Sequence, residues 1–373
     1  MILEGARLLI AYLLSFAASI IQVLYVPIFS VYALEVGVKP YEIGLVAGAA
    51  AFVYALTAPF SHLATGRIGE RNAVAYSLIL LALSCASLTF AKNLASLALA
   101  AISSLLAYAI FWPALESLIS RGGGSVSSFA TSWSTGALAG SILVGPLMPA
   151  PKKAIFTGFS LLSAVLSVLS LKLGRRREIV NMPKVGDLVK GVKDVPEAWA
   201  WAFSYAAIQG AVFTFYPLLV EIQNFPRWYA SLLFFLLVGT RTLTFSLREK
   251  LPQFLKSPYA GATLLSPGIL LPFAYDATFT AILAALIGVG AGILYGESLS
   301  KAFSSSLEKR SAYTGLFESF IGFGYTAGPL IAGLASTLYL DAAIPAAALA
   351  SIAVACTPWR KISFQKFRKA IRE

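Results

Sequence analysis

The sequence predicts an all-α polytopic membrane protein of twelve transmembrane helices in two pseudo-symmetric six-helix bundles, both termini cytoplasmic. Three observations carry this. Apolar residues make up 58% of the 373-residue chain and charged residues only 12%, with a mean hydropathy of +0.78. A soluble chain of this size needs far more charge to cover its surface. The apolar residues fall into runs close to the ~20 residues that cross a bilayer as a helix. Finally, the chain repeats itself: Glu116-Ser117-Leu118 recurs as Glu297-Ser298-Leu299, and Gly145-Pro146-Leu147 as Gly328-Pro329-Leu330, at almost the same offset. A third echo sets Ile21-Gln22, Tyr25 and Pro27 against Ile208-Gln209, Tyr216 and Pro217.

In chain order the expected spans are 8–34, 41–63, 73–91, 94–119, 126–149, 153–173, 197–222, 228–247, 257–274, 277–303, 312–339 and 341–358. The first stays apolar too long for a signal-peptide core and reads as a membrane helix. The ninth and twelfth are short and broken by Pro267, Pro272 and Pro345. These spans define an N-terminal bundle over 1–173, a linker over 174–196, and a C-terminal bundle with a basic tail over 197–373. Within the linker, Val185, Leu188, Val189, Val192 and Val195 recur at helical spacing between charges, which predicts an amphipathic helix on the inner membrane surface. The tail, with Trp359, Ile362, Phe367 and several basic residues, has the same character, and both are expected to touch lipid headgroups. Tyr41, Trp228, Tyr229, Tyr259, Tyr339 and Trp359 fall at span ends, where amphipathic rings favour the interface.

The net charge of +12 is a topology signal. Lys39, Lys92, Lys152, Lys153 and Arg227 occupy the expected outward loops and Arg241 a span; the rest of the 29 basic residues occupy the inward loops and termini. That bias satisfies the positive-inside rule without invoking nucleic acid. Cys85 and Cys356 both fall in apolar spans, so no disulfide framework is expected. A lone His62, scattered aspartates and the absence of a phosphate-binding Gly-Lys-Ser/Thr loop argue against a metal site, an ATPase or a membrane transferase. No cofactor is expected.

The fifth span carries Gly136, Gly140, Gly145 and Pro146, and the eleventh carries Gly324, Gly328 and Pro329. Small residues one turn apart let helix backbones approach closely, as packing or as conformational motifs. After the second span comes His62-Leu63-Ala64-Thr65-Gly66-Arg67-Ile68-Gly69-Glu70-Arg71. With two six-helix halves and the echoed Gly-Pro motif, this loop makes the chain resemble the major facilitator superfamily over essentially its whole length. The family's loop runs Gly-x-x-x-Asp-Arg-x-Gly-Arg-Arg; Arg67, Gly69 and Arg71 match it, whereas its acidic position is Gly66 and the nearest acid is Glu70. The resemblance implies that the family's acid helps lock the two halves on the cytoplasmic side; with Gly66 in its place, that contact is either lost here or moved to Glu70. It also implies that helices 1, 4, 7 and 10 line a central cavity.

Polar residues inside the spans are the candidate functional residues, because charge near a bilayer centre is costly. At about 1.5 Å per residue, Arg241 and Glu318 lie at similar depths, roughly 10 Å from the inner boundary, and are expected to pair. Such a pair either fixes packing or takes part in coupling. The repeat-related Glu116 and Glu297, at the inner ends of the fourth and tenth spans, are either proton-coupling sites or interfacial acids balancing Arg121 or Lys301. Gln22, Tyr25, Tyr108, Trp112, Gln209 and Tyr216 are nearer the midplane and form the expected substrate-binding set. The two amides alternatively bond helix to helix.

Internal repeats of this kind mark secondary transporters. The expected function is alternating-access transport of a small organic solute, proton-coupled, across the cell membrane by a monomer. Export of an amphiphilic compound is preferred over a sugar or metabolite symporter or a uniporter. A receptor or scaffold without transport is the remote alternative.

Overall fold

The structure is a computed structural model that describes residues 2–174, 185–303 and 310–358. Arg175, Arg176, Arg177, Lys184, Lys309 and the tail with Trp359, Ile362 and Phe367 lie outside the described residues. Among the described residues the chain is helical, with no strand. A first group comprises α1 (Ile2–Glu35), α2 (Pro40–Thr57), α3 (Ser61–Ile68), α4 (Glu70–Leu88), α5 (Leu94–Arg121), α6 (Val126–Leu147) and α7 (Lys152–Ser170). The linker helix α8 (Val185–Asp194) follows. A second group comprises α9 (Pro196–Ile222), α10 (Trp228–Ser246), α11 (Pro258–Thr263), α12 (Ala277–Phe303), α13 (Arg310–Ser336) and α14 (Ala343–Cys356).

Among the described residues, eight helices are long and apolar enough to cross a membrane: α1, α2 with the turn after it, α4, α5, α7, α9, α10 and α12. α6 and α13 match the predicted fifth and eleventh spans in length, at 22 and 27 residues, but carry more Gly, Ser and Thr. The predicted ninth span is corrected. Residues 257–274 form the six-residue α11 and two 3-10 turns, Ser266–Ile269 and Leu271–Phe273. Pro267 and Pro272 have no N–H to continue a helix, and each opens a new turn. The segment still runs the height of the bundle, from Lys256, bonded to the Glu249 carbonyl, to Tyr275, packed on Phe225. The twelfth predicted span shortens to the 14 residues of α14, about 21 Å at 1.5 Å per residue.

Side-chain contacts sort the connections to two ends. At one, Tyr32 bonds the Ala91 carbonyl, Lys152 pairs with Glu35, and Gln223 bonds Asp341. At the other, Arg121 pairs with Glu70, Arg71 reaches the Leu171 carbonyl, and Lys301 pairs with Glu197. These are the Glu35 end and the Glu70 end. The helix after α2 bends at Pro59 through a 3-10 turn, continues as α3 and stops at Gly69. Gly69 has a φ of 82°, where a side chain is strained, so a Gly is required to swing the chain into α4.

Small residues set the helix spacing, and the repeat is visible in what they touch. A Cβ added at Gly136 or Gly140 of α6 would strike the Phe16 and Ile20 carbonyls of α1. One added at Gly324 or Gly328 of α13 would strike the Phe203 and Ala207 carbonyls of α9. The same two helices also reach across to the opposite group. Gly145, next to Pro146, faces the Arg227 carbonyl and Ser231 at the start of α10, and Gly44 of α2 faces the Pro329 carbonyl and Gly333 of α13. Ser231 Oγ donates to the Ile142 carbonyl at 2.6 Å and accepts from the Gly145 N–H at 2.8 Å. α9, enclosed on all sides, is almost entirely buried.

α8 forms as the linker pattern predicts, but one side of it docks on the second group. Trp199 Nε1 donates to the Gly191 carbonyl at 3.0 Å, Tyr313 donates to Asp194 at 2.9 Å, and Gly191 itself lies against Tyr313 and Leu316. Val192 remains exposed.

These contacts are testable by substitution. Gly136→Val and Gly328→Val should each destabilise by about 1–3 kcal/mol or more, because the backbone facing them cannot rotate away. Gly158→Ala, in α7, has nothing within 4 Å of the added Cβ and should be neutral. Thermal unfolding of the purified protein in detergent distinguishes these outcomes.

Candidate functional site between the two helix groups

The predicted binding residues divide into two sets. Gln22 and Gln209, the repeat-related amides, each receive a hydrogen bond from another helix of their own group. Trp112 Nε1 donates to Gln22 Oε1 at 3.1 Å, and Arg241 Nη1 donates to Gln209 Oε1 at 2.7 Å. The tyrosines behave differently from the expectation. Tyr25 is buried among Phe29 and Phe156 in the first group, and Tyr216 is buried against Phe234 in the second. Tyr108 is also buried, with its hydroxyl on the Ala18 carbonyl at 3.2 Å. Their spacing placed them near the bundle centre, but it did not say which side of each helix faces the other group.

The predicted Arg241–Glu318 pair is not formed. Arg241 is 8% exposed, bonds Gln209 and lies 5.8 Å from the Trp133 ring centroid of α6. Glu318 instead accepts from the Tyr54 hydroxyl of α2 at 2.7 Å. Each charge therefore contacts a neutral side chain from another helix. Tyr205, Tyr295 and Tyr325 lie within electrostatic reach of both charges.

These tyrosines and Trp133 are the residues the sequence reading missed. Trp133 stacks on Phe245 with centroids 6.3 Å apart and ring planes 15° apart. Phe245 lies 5.1 Å from Tyr295, which meets Tyr205 at 5.3 Å and Phe317 at 5.6 Å. A signal existed. Tyr205 precedes Gln209 by one helical turn, and Tyr325 follows Glu318 by two, so each shares a face with a residue already singled out. Trp133 and Tyr54 carry no such signal, because their partners belong to the opposite group.

The acids at the Glu70 end are deployed asymmetrically. Glu297 pairs with Arg248 at 2.8 Å, and that hydrogen bond is the main cause raising the Arg248 pKa. Arg121 and Lys301, the expected partners of Glu116 and Glu297, are taken by Glu70 and Glu197. Glu116 is exposed and lies within electrostatic reach of Glu318, Tyr54 and Tyr295, hence facing the second group. At the start of α4, Glu70 is buried, pairs with Arg121 at 2.8 Å and accepts from Ser117 at 2.7 Å. It therefore ties α4 to α5 within the first group, and the expected cross-group lock does not run through it. Arg71 contacts the Leu171 carbonyl and Asn72, and Arg67 is exposed.

Between the groups, α1 packs on α9, α2 on α13 and α6 on α10, whereas α5 and α12 do not pack along their lengths. The upper part of α1, Leu24 to Ala33, is buried apart from Val26. The groups thus meet along these three helix pairs, while α5 and α12 stay apart. A small cavity at Arg7, Leu8, Leu118 and Gly122 lies within the first group, away from this seam.

Membrane-length apolar helices packed closely on matched glycines define a helical integral membrane protein. Residues 8–296 match the family model described as Major Facilitator Superfamily, and the chain belongs to that superfamily. It is accordingly a transporter, not an enzyme. The fold is similar to that of the nucleoside transporter NupG, with a TM-score of 0.75 at 15% identity over 94% of this chain and 97% of that one. It is also similar to a bacterial homologue of the human lysosomal transporter Spinster in an inward-facing, unoccupied conformation, at TM-score 0.70, 13% identity, and 95% and 93% coverage. The human organic anion transporter MFSD10 aligns at TM-score 0.65, 15% identity, and 94% and 99% coverage. No curated protein sequence matches.

The Glu70 contact should be measurable. Glu70→Ala and Arg121→Ala should each lower stability by about 1–3 kcal/mol, and the double variant should cost less than their sum. Additive losses in melting experiments would mean that the ion pair is not a stabilising contact.

Proposed function

We propose that this protein moves a small organic solute by alternating access, with the solute held where Trp133 and Arg241, and Tyr54 and Glu318, meet across the two groups. The observation that carries this reading is that the polar and aromatic side chains come from both groups, so motion between them makes and breaks the site. In this reading the chain crosses the membrane twelve times, ninth crossing broken, with both termini cytoplasmic and the groups divided as 1–173 and 197–373 around the linker. The placement of basic residues at the Glu70 end supports that orientation in a cell membrane. The names of the structural neighbours, a nucleoside and an organic anion transporter among them, support an organic solute.

Proton coupling rests on Glu318 and Glu116. Glu318 has a hydroxyl partner and no basic side chain within ion-pair distance among the described residues, so its charge is free to change during the cycle.

Spin labels test this without knowing the solute. In a Cys85→Ser, Cys356→Ser background, labels at Ser120→Cys and Glu249→Cys report the Glu70 end, and labels at Lys92→Cys and Tyr339→Cys the Glu35 end. Each pair should show two distance populations that shift in opposite senses with pH, and Glu318→Gln should remove the shift. One fixed distance at both ends would rule out alternating access; a shift unaffected by Glu318→Gln and Glu116→Gln would rule out these coupling residues.

A further inference from the structure

Arg241 is held in a costly position. The residue is more than nine-tenths buried, and no carboxylate among the described residues lies within ion-pair distance. Gln209 supplies a neutral acceptor to Nη1 and the Tyr325 hydroxyl is a second neutral partner of the guanidinium, while Nε has no protein hydrogen-bond partner. A buried cation without a counter-ion is destabilising unless something else supplies the negative charge. Glu318 and Glu116 reach the same Tyr295 that Arg241 does, but Glu318 is turned to Tyr54.

The surroundings narrow what that something is. The Nε edge of a guanidinium presents two parallel N–H donors that fit a carboxylate. Beside it, Trp133, Phe245 and Tyr295 form a run of partly exposed rings suited to a flat apolar body. The Glu318 and Glu116 carboxyl groups, which lie within electrostatic reach of Tyr295, disfavour a second negative charge. We infer that Arg241 is the anion-recognition residue of this transporter and that its solute is an aromatic monocarboxylate, with the carboxylate on Arg241 and the ring among Trp133, Phe245 and Tyr295. This rests on the transport site proposed above and adds the chemical class of what it takes. The repeat-related position of Arg241 in the first group is Phe60, so only the second group offers this charge.

The test is binding, read as a shift in melting temperature of the purified protein in phosphatidylcholine nanodiscs. The probes are benzoate and indole-3-acetate, their amides benzamide and indole-3-acetamide, and phenyl phosphate. The carboxylates should stabilise at concentrations about tenfold or more below those their amides require, as loss of one charge-assisted contact implies. Phenyl phosphate should be weaker than benzoate. Arg241→Gln should erase the preference for carboxylate over amide. Gln209→Glu, which keeps a partner on Arg241 and supplies an internal counter-ion, should erase it while preserving the fold. Trp133→Leu should weaken carboxylates and amides alike. The proposal is overturned if no carboxylate outperforms its amide, or if the preference survives Gln209→Glu in folded protein. It is equally overturned if phosphatidylglycerol alone gives the full stabilisation and the carboxylates add nothing, which would make Arg241 a lipid site. The spin-label experiment needs no solute, so failure of the transport reading and failure of the anion assignment are separable.

Discussion

Hydrocarbon offers helices no hydrophobic reason to associate, so a helical membrane protein depends on how closely its backbones approach. In this chain that approach is made by glycine. α6 lies on α1 at Gly136 and Gly140, and α13 lies on α9 at Gly324 and Gly328, with carbonyl oxygens where a side chain would otherwise be. The same two helices cross to the opposite group at Gly145 and at the Pro329–Gly44 contact. Each therefore has a tight seam within its group and another between groups. The aromatic and charged side chains of the centre are positioned by these seams, because helices set this close leave few other places for large residues.

Symmetry in the backbone contrasts with asymmetry in the charge. Arg241 and Glu318 have no charged counterparts at Phe60 and Thr135. Gln22 receives a tryptophan N–H, whereas Gln209 receives a guanidinium. The repeat thus supplies a matched frame, and the departures from it are where the buried charges Arg241 and Glu318 stand. Glu116 and Glu297 illustrate this directly. They are copies of one another, yet Glu297 is bound to Arg248 while Glu116 faces the opposite group.

Much of the candidate site was legible in the chain, and the remainder was hidden for a definable reason. Depth along a helix follows from residue count, so Arg241, Glu318, Gln22 and Gln209 were found as intramembrane polar groups. Rotation about the helix axis does not follow in the same way when every face is apolar, as on α9. That is why Tyr25 and Tyr216, at the right depth, proved to be core residues, and why Tyr54 and Trp133 were passed over. The ninth span shows a related limit. Its prolines announced a break, but they did not reveal that the broken turns would still traverse the bundle, packed by Gly261 and Gly268 against α12, α14 and α9.

Composition, run length, basic-residue placement and the internal repeat were enough to establish an all-helical membrane protein with two related helix groups, and the loop around Arg67, Gly69 and Arg71 pointed to its superfamily. These are local or one-dimensional properties, written into the chain as hydropathy and spacing. Which charges pair is not of that kind. Two groups at equal depth and of opposite sign still miss one another when their helices are turned a fraction of a revolution. Close packing of α2 on α13 and α6 on α10 turned Glu318 to Tyr54 and brought Arg241 beside Trp133. The partner of each buried charge was settled by helix rotation, a three-dimensional quantity that no linear pattern encodes.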